Sequence, residues 1–98
     1  MEKATPHCKL ETVRKLIAAG NVRMTQSAII GGRLLGFDED GILSTIKALV
    51  PSDFYKAMTT HADHRIWQDV YRPHTRHGRV YLKLTVIDDV LVVSFKEL

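Results

Sequence analysis

The stretch from Val80 to Lys96 constrains this chain more than any other. Val80–Ile87 and Val90–Lys96 read as two strands, with Asp88 and Asp89 as the two-residue loop of a hairpin. That loop sets Tyr81 opposite Lys96. Leu82, Leu84 and Val86 then share a face with Leu91, Val93 and Phe95, and all six are apolar. Tyr81, Lys83 and Thr85 share the opposite face with Val92, Ser94 and Lys96. A slip of one residue would mix the two sets, so burial specifies the register. The loop is the weaker part of this reading, because Asp-Asp is a poorer hairpin turn than Asp-Gly or Asn-Gly. A sheet with one greasy face and one polar face needs a cover on one side only.

The first half of the chain supplies that cover. Leu10, Val13, Leu16 and Ile17 recur at helical spacing between about Lys9 and Ala19, and Gly20 can take the left-handed position that ends a helix. A second helix follows Thr25, weakened by Gly31 and Gly32. A third begins at Asp38, carries Ile42, Leu43, Ile46 and Leu49, and is stopped by Pro51. Beyond Pro51 the period changes to two, with strands at Phe54–Met58 and Ile66–Arg72. Helices first and sequential strands afterwards predict an α+β fold: an antiparallel sheet of at least four strands with the N-terminal helices packed on one face. The 98 residues, 45% of them hydrophobic and 26% charged, make a single domain over 1–98.

Several function classes drop out. With Cys8 as its one cysteine, the chain forms no internal disulfide and offers no cysteine-based zinc site, which favours a cytoplasmic location. The charged N-terminal segment does not read as a signal peptide, and no run is long enough for a membrane span. P-loop, dinucleotide and serine-hydrolase signatures are lacking. His61 and His64 with Asp63, or His74 and His77, suggest a metal site only weakly, so no metal or other cofactor is expected. The net charge is +3, but residues 72–83 concentrate Arg72, Arg76, Arg79 and Lys83 with His74 and His77 and no acid, with Tyr71 and Tyr81 close by. Such a stretch suits a nucleic-acid backbone, and these cations are the expected RNA contacts. A rival reading is a DNA-binding regulator using residues 33–46, whose Leu-Gly-Phe turn joins two helices. Its recognition helix would then open with Asp38, Glu39 and Asp40, which phosphates repel.

RNA can be cut without a metal by attack of its own 2′-hydroxyl on the adjacent phosphate. The protein must orient that attack, move two protons and stabilise negative charge on the phosphoryl oxygens. Lys56, Lys96, Arg72 and Tyr81, gathered on the polar face, offer these groups. Neighbouring cations would lower the pKa values of the tyrosine and the lysines from about 10 toward neutrality. A symmetric loop between the third- and fourth-last strands would set Lys56 across from Gln68. From spacing alone, lysines on such a face are more commonly just solvated.

Longer segments point to a family. Met1-Glu2-Lys3 with Thr5-Pro6-His7, Asp53-Phe54-Tyr55-Lys56 with Met58-Thr59-Thr60, Ile66 through Pro73, Val80 through Ile87, and Val93-Ser94-Phe95-Lys96-Glu97 resemble the MqsR toxins. The resemblance implies a RelE-like fold and ribosome-independent cleavage of mRNA at GC-containing sites, chiefly GCU, which inhibits translation and growth. It implies that Lys56, Gln68, Tyr81 and Lys96 carry catalysis with a contribution from His7, and that Tyr55 and Arg72 contact RNA. It also implies an MqsA-type antitoxin partner, which holds its own zinc and DNA-binding domain, so that operator DNA is reached only through that partner.

Overall fold

The computed structural model describes residues 1–98. In chain order the elements are β1 (Glu2–Lys3), α1 (Leu10–Ala18), β2 (Val22–Met24), α2 (Gln26–Leu34), α3 (Glu39–Lys47), β3 (Phe54–Thr59), β4 (Trp67–Tyr71), β5 (His74–Thr75), β6 (Gly78–Val86) and β7 (Val90–Glu97). A short 3₁₀ turn, Pro51–Asp53, links α3 to β3. The sheet runs β1-β3-β4-β6-β7-β2, with β5 pairing β6 off this path. The fold is α+β, as expected, but not wholly antiparallel, because β2 pairs with β7 in parallel. β1, β2 and β5 are two or three residues long, too short to show a period of two in the sequence.

The three helices form where the apolar spacing places them. α1 buries Val13 and Ile17, and Gly20 follows it with φ +80°. The Thr25 hydroxyl caps α2 by accepting from the Ala28 N–H at 3.1 Å, and the Asp38 carboxylate caps α3 by accepting from the Gly41 N–H at 2.7 Å. Ile42, Ile46 and Leu49 of α3 and its C-terminus meet Tyr71, Leu82, Leu84 and Phe95 of the sheet in one core. The Arg14 side chain donates to the carbonyls of Lys47 and Leu49, so α1 satisfies the end of α3.

The hairpin departs from its simplest form. Val80↔Glu97, Tyr81↔Lys96, Leu82↔Phe95 and Lys83↔Ser94 pair as the alternation predicts. A bulge then shifts the register, so that Leu84 pairs Val92 and Val86 pairs Val90. Residues Ile87, Asp88 and Asp89 form the connection, one residue longer than the expected Asp-Asp loop. Val93 is the extra residue. Val90 and Val92 are fully buried, replacing Leu91 and Val93 as the core contribution of this half of β7.

The neighbouring chain accounts for the bulge. Thr25 donates its backbone N–H to the Val92 carbonyl at 3.0 Å and its hydroxyl to the Val93 carbonyl at 2.8 Å. The parallel pairing with β2 ends there and α2 begins. α2 then runs along the rest of β7 so closely that a Cβ on Gly31 would stand 2.2 Å from the Phe95 carbonyl oxygen. Gly31 and Gly32 therefore do not break this helix. They permit its contact with β7.

Candidate functional site

Strand pairing builds the polar face as rows. Lys56 pairs with Val70, Val70 with Lys83, and Lys83 with Ser94, so these four residues cross β3, β4, β6 and β7 on one side of the sheet. The next row toward one end holds Tyr81 and its partner Lys96. Arg72, one step beyond the Tyr71↔Leu82 pair, sets its guanidinium 3.8 Å from the centre of the Tyr55 ring. Tyr55 is itself the residue skipped by a second bulge, between the pairs Phe54↔Tyr71 and Lys56↔Val70. This irregularity turns its ring toward Arg72 and to within 5.5 Å of the Lys56 amine. The Lys96 and Lys83 amines lie 5.2 and 5.8 Å from the centre of the Tyr81 ring.

The expected pairing of Lys56 with Gln68 is corrected. Gln68 lies across from Met58, because β3 continues to Thr59 and the loop closes through the Thr60 N–H on the Ile66 carbonyl. A shift of two residues preserves the face, so Gln68 still points to the polar side. It stands in the row on the far side of Lys83 from Tyr81, where its amide donates to the Thr85 hydroxyl at 3.3 Å.

Other expected residues separate. Arg79 alternates with buried Val80 and continues the column of Tyr81 and Lys83. Arg76 lies in the turn after β5, beside His77, and lines a concavity of about 390 Å³ shared with Ser44 and Thr45 of α3. His7 lies on the opposite face of the sheet. Its ring stacks on Trp67, 5.7 Å between centroids, and its backbone N–H donates to Asp69, which points into the helix-covered side with Ala57 and Leu84. The Cys8 N–H donates to the other Asp69 oxygen at 2.9 Å, and partial burial together with Asp69 raises the Cys8 thiol above its usual range. These contacts pin the segment after β1.

The electrostatics of the amines also differ from expectation. The Lys56 amine donates to the Glu2 carboxylate of β1 at 2.8 Å, and that hydrogen bond holds its pKa above the ordinary lysine value, not below it. The lowered amine is Lys83. Desolvation pushes it down first, then the charges of Lys96 and Lys56. Sequence reasoning read Lys83 as a backbone contact, since nothing in a strand pattern shows that an amine on a polar face is half-buried. Glu2 was missed altogether, because β1 is too short to announce itself.

The site is thus an open sheet surface bearing amines, a guanidinium and phenols, with Glu2 the one carboxylate hydrogen-bonded into it. Such a surface can hold a polyanion along its length and present proton donors and acceptors to one phosphate. Its chemistry and the comparison of the whole chain agree. A family model described as "Motility quorum-sensing regulator, toxin of MqsA" matches residues 5–97. The chain belongs to the MqsR toxin family. A curated relative, the "mRNA interferase toxin MqsR" of Escherichia coli (strain K12), is 60% identical over 97 residues, covering 99% of each chain. The similarity to this MqsR protein therefore includes β1 as well as the β3–β7 face. The rival regulator reading gains nothing: α3 opens with exposed Glu39 and Asp40, and its Ile42 and Ile46 are buried in the core.

Proposed function

We propose that this chain is the toxin of a type II toxin–antitoxin pair, an endoribonuclease that cuts mRNA at GC-containing sites, chiefly GCU, without the ribosome and without a metal ion. The observation that carries this reading is the juxtaposition of Tyr81 with Lys96 and Lys83, beside the Arg72–Tyr55 pair, on an open face. Lys96, Lys56 and Arg72 would stabilise the charge that develops on the phosphoryl oxygens, which is where fixed cations accelerate phosphoryl chemistry most. Tyr81 would give a proton to the leaving 5′-oxygen. Gln68, held by Thr85, would orient the chain one row away, and Tyr55, Arg72 and Arg79 would bind its backbone and bases. His7 would contribute from a distance, by anchoring β1 and with it the Glu2–Lys56 pair. A metal-assisted route would call for carboxylate ligands, and this face is built of cations and phenols.

The partner would be an MqsA-type antitoxin carrying zinc and the DNA-binding domain, so that operator DNA is bound only by the pair, in the cytoplasm. The test is cleavage of a defined RNA in excess chelator, with mapping of both new ends. Cutting should persist and leave 2′,3′-cyclic phosphate and 5′-hydroxyl ends. Loss of cutting in chelator, restored by magnesium, would sink the mechanism. In the same assay Tyr81→Phe should lower the single-turnover rate about 100-fold or more, the scale of a lost proton-transfer group, and shift stability by less than about 1 kcal/mol, because the ring stays.

A further inference from the structure

Lys83 occupies the centre of the polar face. On β6 it faces Val70 of β4 on one side and Ser94 of β7 on the other, both uncharged. Lys56 stands in the same row beyond Val70, and Lys96 stands diagonally on β7, paired to Tyr81. The groups turned toward Lys83 are therefore Tyr81 on its own strand, Lys96 from β7, Lys56 from β3 with Glu2 of β1 behind it, and Gln68 and Arg72 along β4. No carboxylate reaches its amine. Lys56 has Glu2 as partner, whereas the Lys83 amine makes no hydrogen bond or ion pair and its side chain is half-buried.

Resting on the RNA-cleaving reading, we propose that Lys83 is the catalytic residue that takes the proton from the 2′-hydroxyl, while Lys56 and Lys96 on either side hold the phosphate. The amine lone pair of Lys83 accepts that proton as the 2′-oxygen forms its bond to phosphorus. The bond from phosphorus to the 5′-oxygen breaks, and the leaving oxygen takes the phenolic proton of Tyr81. The products are a 2′,3′-cyclic phosphate, a 5′-hydroxyl, a Lys83 ammonium and a Tyr81 phenolate. Both groups are partly exposed on the open face, so water can take the proton from the Lys83 ammonium and return one to the Tyr81 phenolate, which restores both. The three amines divide this work by environment. A proton acceptor must spend time neutral, and only Lys83 has its charged form disfavoured, by burial and by two neighbouring ammonium groups. Lys56, held charged by Glu2, suits a fixed cation.

The test separates a proton acceptor from a phosphate-binding cation. Lys83→Arg keeps a charge but cannot supply a neutral base, and Lys83→Met keeps the stem without the charge. Binding is read with an RNA oligonucleotide bearing a 2′-deoxynucleotide at the cut site, which cannot be cleaved. Lys83→Arg should bind it within about 3-fold of the wild type yet cleave normal RNA at least about 100-fold more slowly, as Lys83→Met does. The wild-type rate should rise with pH, and the midpoint of that rise should match the titration of the Lys83 amine followed by NMR in the wild-type protein. That second measurement needs no variant to fold. Near-normal cleavage by Lys83→Arg, a loss of binding that accounts for its loss of rate, or a kinetic midpoint that does not match Lys83 would each overturn the assignment. A wild-type chain that cuts no RNA would instead remove the reading on which it rests.

Discussion

Lys56 and Lys83 share a row, yet their surroundings drive them in opposite directions. Glu2 stabilises the ammonium of the first, and burial among like charges destabilises that of the second. The consequence for stability follows from linkage. Lys83 has a folded pKa below its ordinary 10.5, so between those two values the unfolded chain binds more protons and stability rises with pH. Below the folded value the penalty of the buried charge is present in full. Lys83→Met should therefore raise the melting temperature at neutral pH, by about 1–2 °C once solvent screening of a partly exposed group is allowed for. The gain should fade as pH climbs from the folded value to 10.5 and be gone above it. Melts of both proteins from pH 6 to 11, numbers roughly spanning the lysine range, check this. A variant less stable than the wild type at neutral pH would show that Lys83 contributes more to packing than it loses as a charge. The same residue marks where sequence reading stops. The alternation put Lys83, Tyr81 and Lys96 on one face with Ser94 beside Lys83, but the burial of that amine depends also on Val70 of β4, and that neighbour follows only from the three-dimensional pairing.

At the scale of elements, the long periodic segments were legible and the joints between them were not. Three helices and four long strands stand where the apolar spacing predicts, because each buries a face continuous along its own sequence. The Val93 bulge was hidden, because its cause is Thr25, 68 residues away, whose N–H and hydroxyl take two successive carbonyls of β7. The bulge lets α2 begin at the edge of the sheet and lie along β7 beside Lys96. Gly31 is the contact that makes this possible: a Cβ there would be 2.2 Å from the Phe95 oxygen and 3.4 Å from the Lys96 Cβ. The obstacle is backbone, which cannot rotate away. Gly31→Ala should gain up to about 1 kcal/mol of helix propensity and lose more to the clash, for a net destabilisation of about 1–3 kcal/mol. Cleavage at a temperature where the variant remains folded should also fall, because α2 can relieve the clash only by pushing on the strand that carries Lys96. Gly32→Ala meets the flexible end of Ile42, so the effect there should be smaller. Denaturant midpoints and single-turnover rates for the two variants measure both effects, and equal losses at the two positions would refute this account of how α2 seats.

The whole molecule divides its labour between the two faces of one sheet. The helices cover one face and build the core. The other stays open, and its cations come from β3, β4, β6 and β7, so only the assembled sheet displays them together. The basic stretch 72–83, contiguous in sequence, is split by the fold: Arg72, Arg79 and Lys83 belong to the open face, whereas Arg76 sits at the α3 side of the β5–β6 turn. Binding to RNA should follow this geometry and not the sequence run. Each phosphate neutralised on a single strand contributes about −0.7 to the slope of log affinity against log salt, so four contacts from the open face give a slope of roughly −3. Arg79→Ala should weaken binding and reduce the slope by about 0.7, whereas Arg76→Ala should leave the slope unchanged. The measurement is fluorescence anisotropy with the uncleavable oligonucleotide, between about 50 and 200 mM salt. The contrast isolates position from charge, because both variants lose one exposed arginine and the net charge of each falls equally. A slope altered as much by Arg76→Ala as by Arg79→Ala would mean that RNA follows the turn around the edge of the sheet, and that the open face alone does not define the binding surface.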